Sequence, residues 1–246
     1  MGRPLFGLRW AALLAILTGM RTLIPALVLG LSVAVAASPA AAQELVEPST
    51  EVKFEKSPVI DGKPFLCLGT GVRKKAIFKV YAIVYCVEEA AGQAEIQKYF
   101  AEGAGKAHAP SQGKQLAEKL ADDPGFFRAL MAMKIEKAAQ LVFVRDVGKD
   151  KMKEAFEESL TRSLGKDEKP RIESFVNLLD RDLKRGDRMI LQTGPDGRIR
   201  VGHSGEPKSV QDPVLAAAVW QPYLGEDSVA PSLRKSVAAT VAAMRP

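Results

Sequence analysis

Arg73 and Tyr81 are the residues of this chain whose side chains suggest the most specific chemistry. A guanidinium can hold a carboxylate through two parallel hydrogen bonds, and a phenol rising from an apolar strand can add a third. Arg73 opens the cationic run Arg73-Lys74-Lys75, and Tyr81 lies inside the stretch AIFKVYAIVYCV, residues 76–87. On the residues alone, two readings stand. In one, the pair forms the polar end of an apolar cleft that accepts an anion with a hydrocarbon tail, each buried methylene contributing about 0.8 kcal/mol. In the other, Arg73 is a solvated hairpin charge and Tyr81 a half-buried strand aromatic.

Other reactive side chains offer less. The two histidines, His108 and His203, lie in loop-like surroundings with no cysteine at ligand spacing, so no metal site is expected. Gly69-x-Gly71 lacks the rest of a nucleotide-binding signature, and no serine occupies a G-x-S-x-G elbow, so neither a cofactor nor a serine nucleophile is expected. Arg145-Asp146 reads as a structural pair, and Trp220 with Tyr223 as packing for C-terminal helices. Cys67 and Cys86 sit in apolar, strand-like stretches and read as small buried hydrophobes more than as a disulfide, although an oxidising compartment would permit one.

The elements that must position Arg73 and Tyr81 follow from periodicity. Residues 51–54 alternate as a short strand, Asp61-Gly62 supplies a hairpin turn, and residues 64–75 run into a long β-branched and aromatic strand, 76–87. Strand alternation puts Lys79, Tyr81, Ile83 and Tyr85 on one face, and Phe78, Val80, Ala82, Val84 and Cys86 on the other. Helical spacing appears at 94–101, followed by shorter pieces at 114–121 and 124–133 and then a strand-like 141–144. From 149 to 164, Met152, Phe156, Leu160 and Leu164 recur every four residues and Gly165 follows as a cap. The pattern predicts another helix over 170–185, ending at Gly186. A hairpin is expected around Pro195-Asp196-Gly197, then helices from Asp212-Pro213 to Trp220 and over 232–243. Strands first, then helices, then a hairpin and more helices make an α+β fold, with a mainly antiparallel sheet covered by helices on one side.

Residues 1–42 read as an export signal: Arg3, Arg9 and Arg21 without an acid, an apolar run over 23–37, and Ala40-x-Ala42 as the cleavage site before Gln43. Met20-Arg21 already opens a signal of ordinary length, so Met20 is read as the initiator and 1–19 as an upstream extension. A retained anchor is the alternative, but the apolar run falls short of the roughly 20 residues a span needs. Residues 43–50 read as a flexible leader and 51–246 as one domain. Loss of the signal changes 35 basic against 29 acidic residues to 32 against 29, so the high isoelectric point belongs largely to the signal. No basic stripe is left to suggest nucleic acid binding.

Several segments together carry a family resemblance: Asp61-Gly62-Lys63; Leu68-Gly69-Thr70-Gly71-Val72-Arg73; Phe78-Lys79-Val80-Tyr81-Ala82-Ile83-Val84-Tyr85; LVFVRDV at 141–147; Lys184-Arg185-Gly186-Asp187; Asp212-Pro213; Trp220; and Leu224-Gly225. In this order the chain resembles the chalcone isomerase family, specifically its bacterial secreted chalcone isomerase-like branch. The resemblance implies an open-faced β-sandwich with a cleft between a large sheet and its helices. Arg73 matches the arginine that holds a phenolate in the enzymes or a carboxylate in fatty-acid-binding relatives. Tyr81 stands where the enzymes have threonine, as in the fatty-acid-binding variants. Met152 and Ser159 fall where the enzymes place a tyrosine and an asparagine, and the thioether removes a proton donor that would polarise a ketone. What the resemblance implies is a periplasmic or secreted, non-catalytic domain that binds a small apolar carboxylate or a flavonoid-like ligand through Arg73 and Tyr81. The alternatives are an intramolecular lyase closing a ring by conjugate addition, and an envelope protein using the fold only as a binding surface.

Overall fold

Strand-forming residues dominate 63–88, and in the computed structural model they build the longest hairpin of the molecule. The structure describes residues 43–108, 110–203 and 206–245; the expected export signal, 1–42, lies outside them. Strand β4, Lys63–Lys75, pairs antiparallel with β5, Phe78–Glu88, placing Arg73 directly opposite Tyr81. Before them come β1 (Glu44–Val46), β2 (Lys53–Glu55) and β3 (Val59–Ile60); after them come β6 (Lys137–Phe143), β7 (Arg188–Thr193), β8 (Arg198–Gly202) and β9 (Lys208–Gln211). Among the described residues, β3 to β9 form one seven-stranded sheet in sequence order, antiparallel throughout, and β1 pairs with β2 as a separate ribbon.

Two bulges decide which side chains face which layer. Leu68 is an extra residue in β4 between the pairs Cys67↔Cys86 and Gly69↔Tyr85, and Val80 is an extra residue in β5 between Arg73↔Tyr81 and Lys74↔Lys79. A bulge reverses the parity of the strand beyond it. Tyr81, Ile83 and Tyr85 therefore share the helix-covered core as expected, but Val80 joins them there. Lys79 turns to the opposite side instead, where its ammonium bonds the carbonyl oxygen of Ser49.

The opposite face holds a smaller cluster of Phe54, Phe65, Ala82, Val84, Ala138 and Val142 around a disulfide between Cys67 and Cys86. The expectation of two unpaired cysteines is thus corrected. The antiparallel register makes them direct partners with Cα atoms 3.8 Å apart, a relation invisible when each strand is read alone. The 43–50 leader is also more ordered than expected, because Leu45 pairs with Phe54 in the β1–β2 ribbon and packs against this second cluster.

The helices cover the other face. They are α1 (Glu89–Glu102), α2 (Gly113–Asp122), α3 (Pro124–Ala132), α4 (Lys149–Leu164), α5 (Lys169–Val176), α6 (Pro213–Ala218), α7 (Gln221–Leu224) and α8 (Pro231–Ala243). α4 has the predicted bounds and ends at Gly165, whose φ of 99° suits glycine. α5 stops short of the predicted 185, because Leu183 and Val147 exchange backbone hydrogen bonds and draw the chain out of helical form.

α8 closes the exposed edge of β4. Ser232 and Ser236, one turn apart on the helix, accept hydrogen bonds from the Val72 and Thr70 amides at 3.1 and 3.0 Å. So close an approach requires glycine at two sheet positions. A Cβ on Gly69 would lie 2.5 Å from the Val237 nitrogen, and one on Gly71 would lie 2.5 Å from the Leu233 nitrogen. The next position of β4 on this face is Arg73, just beyond the reach of α8.

All of these contacts lie within the compact unit Ala41–Pro246, which carries both hydrophobic clusters and so contains what it needs to fold. Among the described residues, no helix is long and apolar enough to cross a membrane.

Candidate functional site

Where α8 stops covering β4, a cleft of about 420 Å³ opens between the end of the β4–β5 hairpin and α4. Phe78, Val80, Val147, Met152, Ala155 and Val229 supply apolar wall, and Arg73 is half-buried in its lining. Lys74, Lys75, Arg145 and Lys151 add cationic lining against the acids Asp146, Glu154 and Glu158. All three acids are already engaged, Glu158 with Arg162 Nη2 at 3.7 Å. Lys151 bonds Glu154 at 2.6 Å, and Asp146 accepts from Lys184 Nζ at 3.0 Å and the Arg185 amide at 2.9 Å.

Arg73 and Tyr81 stand opposite each other on the helix-covered face of the sheet, but only Arg73 lines the cleft, so the expected placing of the Tyr81 phenol at the cleft's polar end is not what the fold gives. The Arg73 guanidinium carbon stands 5.7 Å from the centroid of the Tyr81 ring. Tyr81 itself is fully buried, edge-on to Phe143 at 5.3 Å, and its hydroxyl donates to the Tyr223 hydroxyl at 3.5 Å. Arg73 therefore lies between the cleft and a pair of buried phenols. Burial opposes the Arg73 charge, but Tyr81, then Tyr223 and more distant Glu158, outweigh it and move the pKa above the ordinary arginine value. The cleft thus ends on a permanent cation. Burial pushes the Tyr223 phenol well above its usual value, so it stays a neutral hydroxyl.

The remaining candidates separate by role. Arg145 and Asp146 do not form the structural pair expected of them: Arg145 covers the Phe78 ring at 4.8 Å, while Asp146 turns to Lys184 and Arg185. The Arg185 amide and the Lys184 ammonium hold the Asp146 carboxyl below the usual carboxylate range. Met152 is in the cleft lining, whereas buried Ser159 is not. Among the described residues lining the cleft, no side chain carries a hydroxyl. Trp220 packs as expected, donating from Nε1 to Thr193 Oγ1 at 3.0 Å. No group of three metal-binding side chains gathers among the described residues.

Sequence reasoning missed the involvement of Tyr223, because nothing in its neighbourhood announces that α7 carries it to Tyr81, 142 positions earlier. It also missed Lys151 and Glu158 as cleft residues. The period-four stripe of α4 located its buried face, and residues flanking that stripe were the available signal.

An antiparallel sheet with helices on one face, and an arginine-ended cleft at the tip of its longest hairpin, define an α+β fold. The family model described as chalcone isomerase like matches residues 63–238, and the chain belongs to the chalcone isomerase-like family. Among solved structures it is similar to the fatty-acid binding protein FAP1 of Arabidopsis thaliana, with a TM-score of 0.66 and 23% identity over 82% of this chain and 98% of that one. That likeness establishes the fold. No curated protein sequence matches the chain.

Proposed function

We propose that the chain is an exported, non-catalytic binding protein for a fatty acid or similar apolar anion, held by its carboxylate at Arg73. One observation carries the reading. Arg73 is a half-buried cation in a cleft whose wall mixes charged and apolar side chains, and among the described residues no carboxylate forms an ion pair with it. An unpaired buried charge is costly, and an entering carboxylate would offset that cost while its tail covers Phe78, Val80, Met152 and Val229. Tyr81 and Tyr223 orient the guanidinium from behind. The name of the Arabidopsis relative, a fatty-acid binding protein, supports the same ligand class.

Ring closure of a chalcone fits less well, because the cleft lining offers cations but no neutral hydroxyl to polarise a ketone. Export is supported by the signal-like residues 1–42 and by the Cys67–Cys86 disulfide, a bond that persists in oxidising compartments.

Native mass spectrometry of the chain from Gln43, incubated with laurate or palmitate, tests the reading. Wild type should retain the acid and Arg73→Ala should not, while ultraviolet-monitored incubation with a chalcone should show no turnover. Equal retention by both proteins would remove Arg73 from the site, and no retention by either would reject the ligand class.

A further inference from the structure

The tip of the β4–β5 hairpin shows features that folding alone does not reward. Lys75 and Phe78 close a two-residue turn, Ala76-Ile77. Ala76 has a φ of 52°, the left-handed region where such turns ordinarily use glycine or asparagine. Ile77 is 85% exposed and Phe78 54%. Of the large exposed hydrophobics among the described residues, which also include Val46, Val59 and Val214, these two alone are neighbours in the chain. Strain beside exposed apolar side chains points to a use outside the fold.

The surroundings indicate which use. Lys74 and Lys75 precede the tip, and Arg145 and Lys151 line the cleft beside it. The acids in that lining, Glu154, Asp146 and Glu158, are each paired, with Lys151, Lys184 and Arg162, which leaves Lys74, Lys75 and Arg145 without an ion-pair partner among the described residues. Two apolar side chains on a narrow turn, ringed by cations, offer far less than the roughly 800 Å² per partner of a stable protein interface. They match the requirements of an anionic bilayer surface, which attracts lysine and arginine and accepts a small apolar wedge below the headgroups.

We propose that the Ala76-Ile77 tip docks the protein on an anionic phospholipid bilayer, with Ile77 and Phe78 entering the interface and Lys74 and Lys75 meeting lipid phosphates. The cleft mouth, bounded by Phe78, Lys74 and Lys75, would then open toward the lipid. Docking stands on the hairpin and not on the identity of the cleft ligand, so the two readings fail separately.

Co-sedimentation of the chain from Gln43 with vesicles of phosphatidylglycerol and phosphatidylcholine in equal parts, against phosphatidylcholine alone, tests it. Wild type should partition at least about tenfold better onto the anionic vesicles and should lose that preference as salt is raised. Ile77→Ser, which leaves the cleft lining intact, should weaken vesicle binding about fivefold or more while retaining laurate and the wild-type melting temperature. Lys74→Glu with Lys75→Glu should abolish vesicle binding. Equal partitioning of wild type and Ile77→Ser would overturn the proposal. So would indifference to lipid charge, or a tip that engages a purified acidic carrier protein and ignores vesicles.

Discussion

The hydroxyls of Tyr81 and Tyr223 stand 3.5 Å apart behind Arg73, joining β5 to α7 across the core. At that separation the bond is weak, so neither phenol is fully committed to the other. The guanidinium in front of them is the strongest charge they can serve.

Substitutions should therefore grade by their distance from the cleft. Arg73→Ala should weaken laurate binding about tenfold to a hundredfold, the usual worth of a charge-assisted hydrogen bond. Arg73→Lys should fall between it and wild type, since it keeps the charge but loses the fork. Tyr81→Phe and Tyr223→Phe should each cost only a few fold, about 1 kcal/mol or less, because they act on the arginine and not on the ligand. Isothermal titration calorimetry measures all four. A Tyr81→Phe effect as large as that of Arg73→Ala would place the phenol in direct contact with the carboxylate.

The close seat of α8 on β4 makes a second prediction about stability. Gly71→Ala would force its new methyl group against the Leu233 backbone and should destabilise by about 1–3 kcal/mol. Ser232→Ala strands the Val72 amide at the sheet edge and should cost about 1–2 kcal/mol. Urea unfolding reads both. Gly62→Ala makes a useful contrast, since a Cβ there meets nothing within 4 Å and its cost would come from its φ of 76° alone.

The disulfide closes a short loop, Cys67 and Cys86 standing 19 positions apart in the chain. Replacing both cysteines by serine should lower unfolding free energy by about 3 kcal/mol on the chain-entropy account. The loss should appear as a lower urea midpoint, and reduction of wild type should reproduce it. Laurate affinity should change little, because the bridge faces the second cluster and not the cleft.

Much of this architecture could be read in the sequence, wherever a single element carried its own signal. The four-residue stripe from Met152 to Leu164 marks α4, and the β-branched run over 76–87 marks β5. Relations between elements could not be read in the same way. Gly69 and Gly71 look like a fragment of a nucleotide-binding loop until α8 is placed against them. Cys67 and Cys86 look like separate core residues until register makes them partners. The bulge at Val80 moves that side chain to the side of Tyr81, a change that alternation alone cannot foresee. β9 is a polar, four-residue edge strand with no apolar period to betray it. For the site, Arg73 and Tyr81 were visible as types and spacing, but the phenol of Tyr223 arrives only through the tertiary fold.

One buried cation outside the cleft gives the fold a distinctive pH dependence. Lys137 is buried at the start of β6, and its ammonium donates to the Met131 and Met133 carbonyl oxygens at 2.7 Å each, at the end of α3. Burial pushes its pKa down to about 8 from the 10.5 of a free lysine. A lysine held lower in the folded state than in the unfolded one favours folding once both states are deprotonated, and that contribution is lost as pH falls to about 8. Stability should therefore rise between pH 8 and about 10, by up to about 3 kcal/mol before the two carbonyl bonds, which favour the charged form, reduce it. Tyr85 and Tyr223 act in the opposite direction: burial raises both phenols, so they stay neutral in the fold while the unfolded chain ionises above about pH 10. Urea midpoints from pH 7 to 11 should pass through a maximum near pH 10. In Lys137→Met the rising limb should vanish, whereas the falling limb should remain. A rising limb that survives Lys137→Met would show that another group is its source.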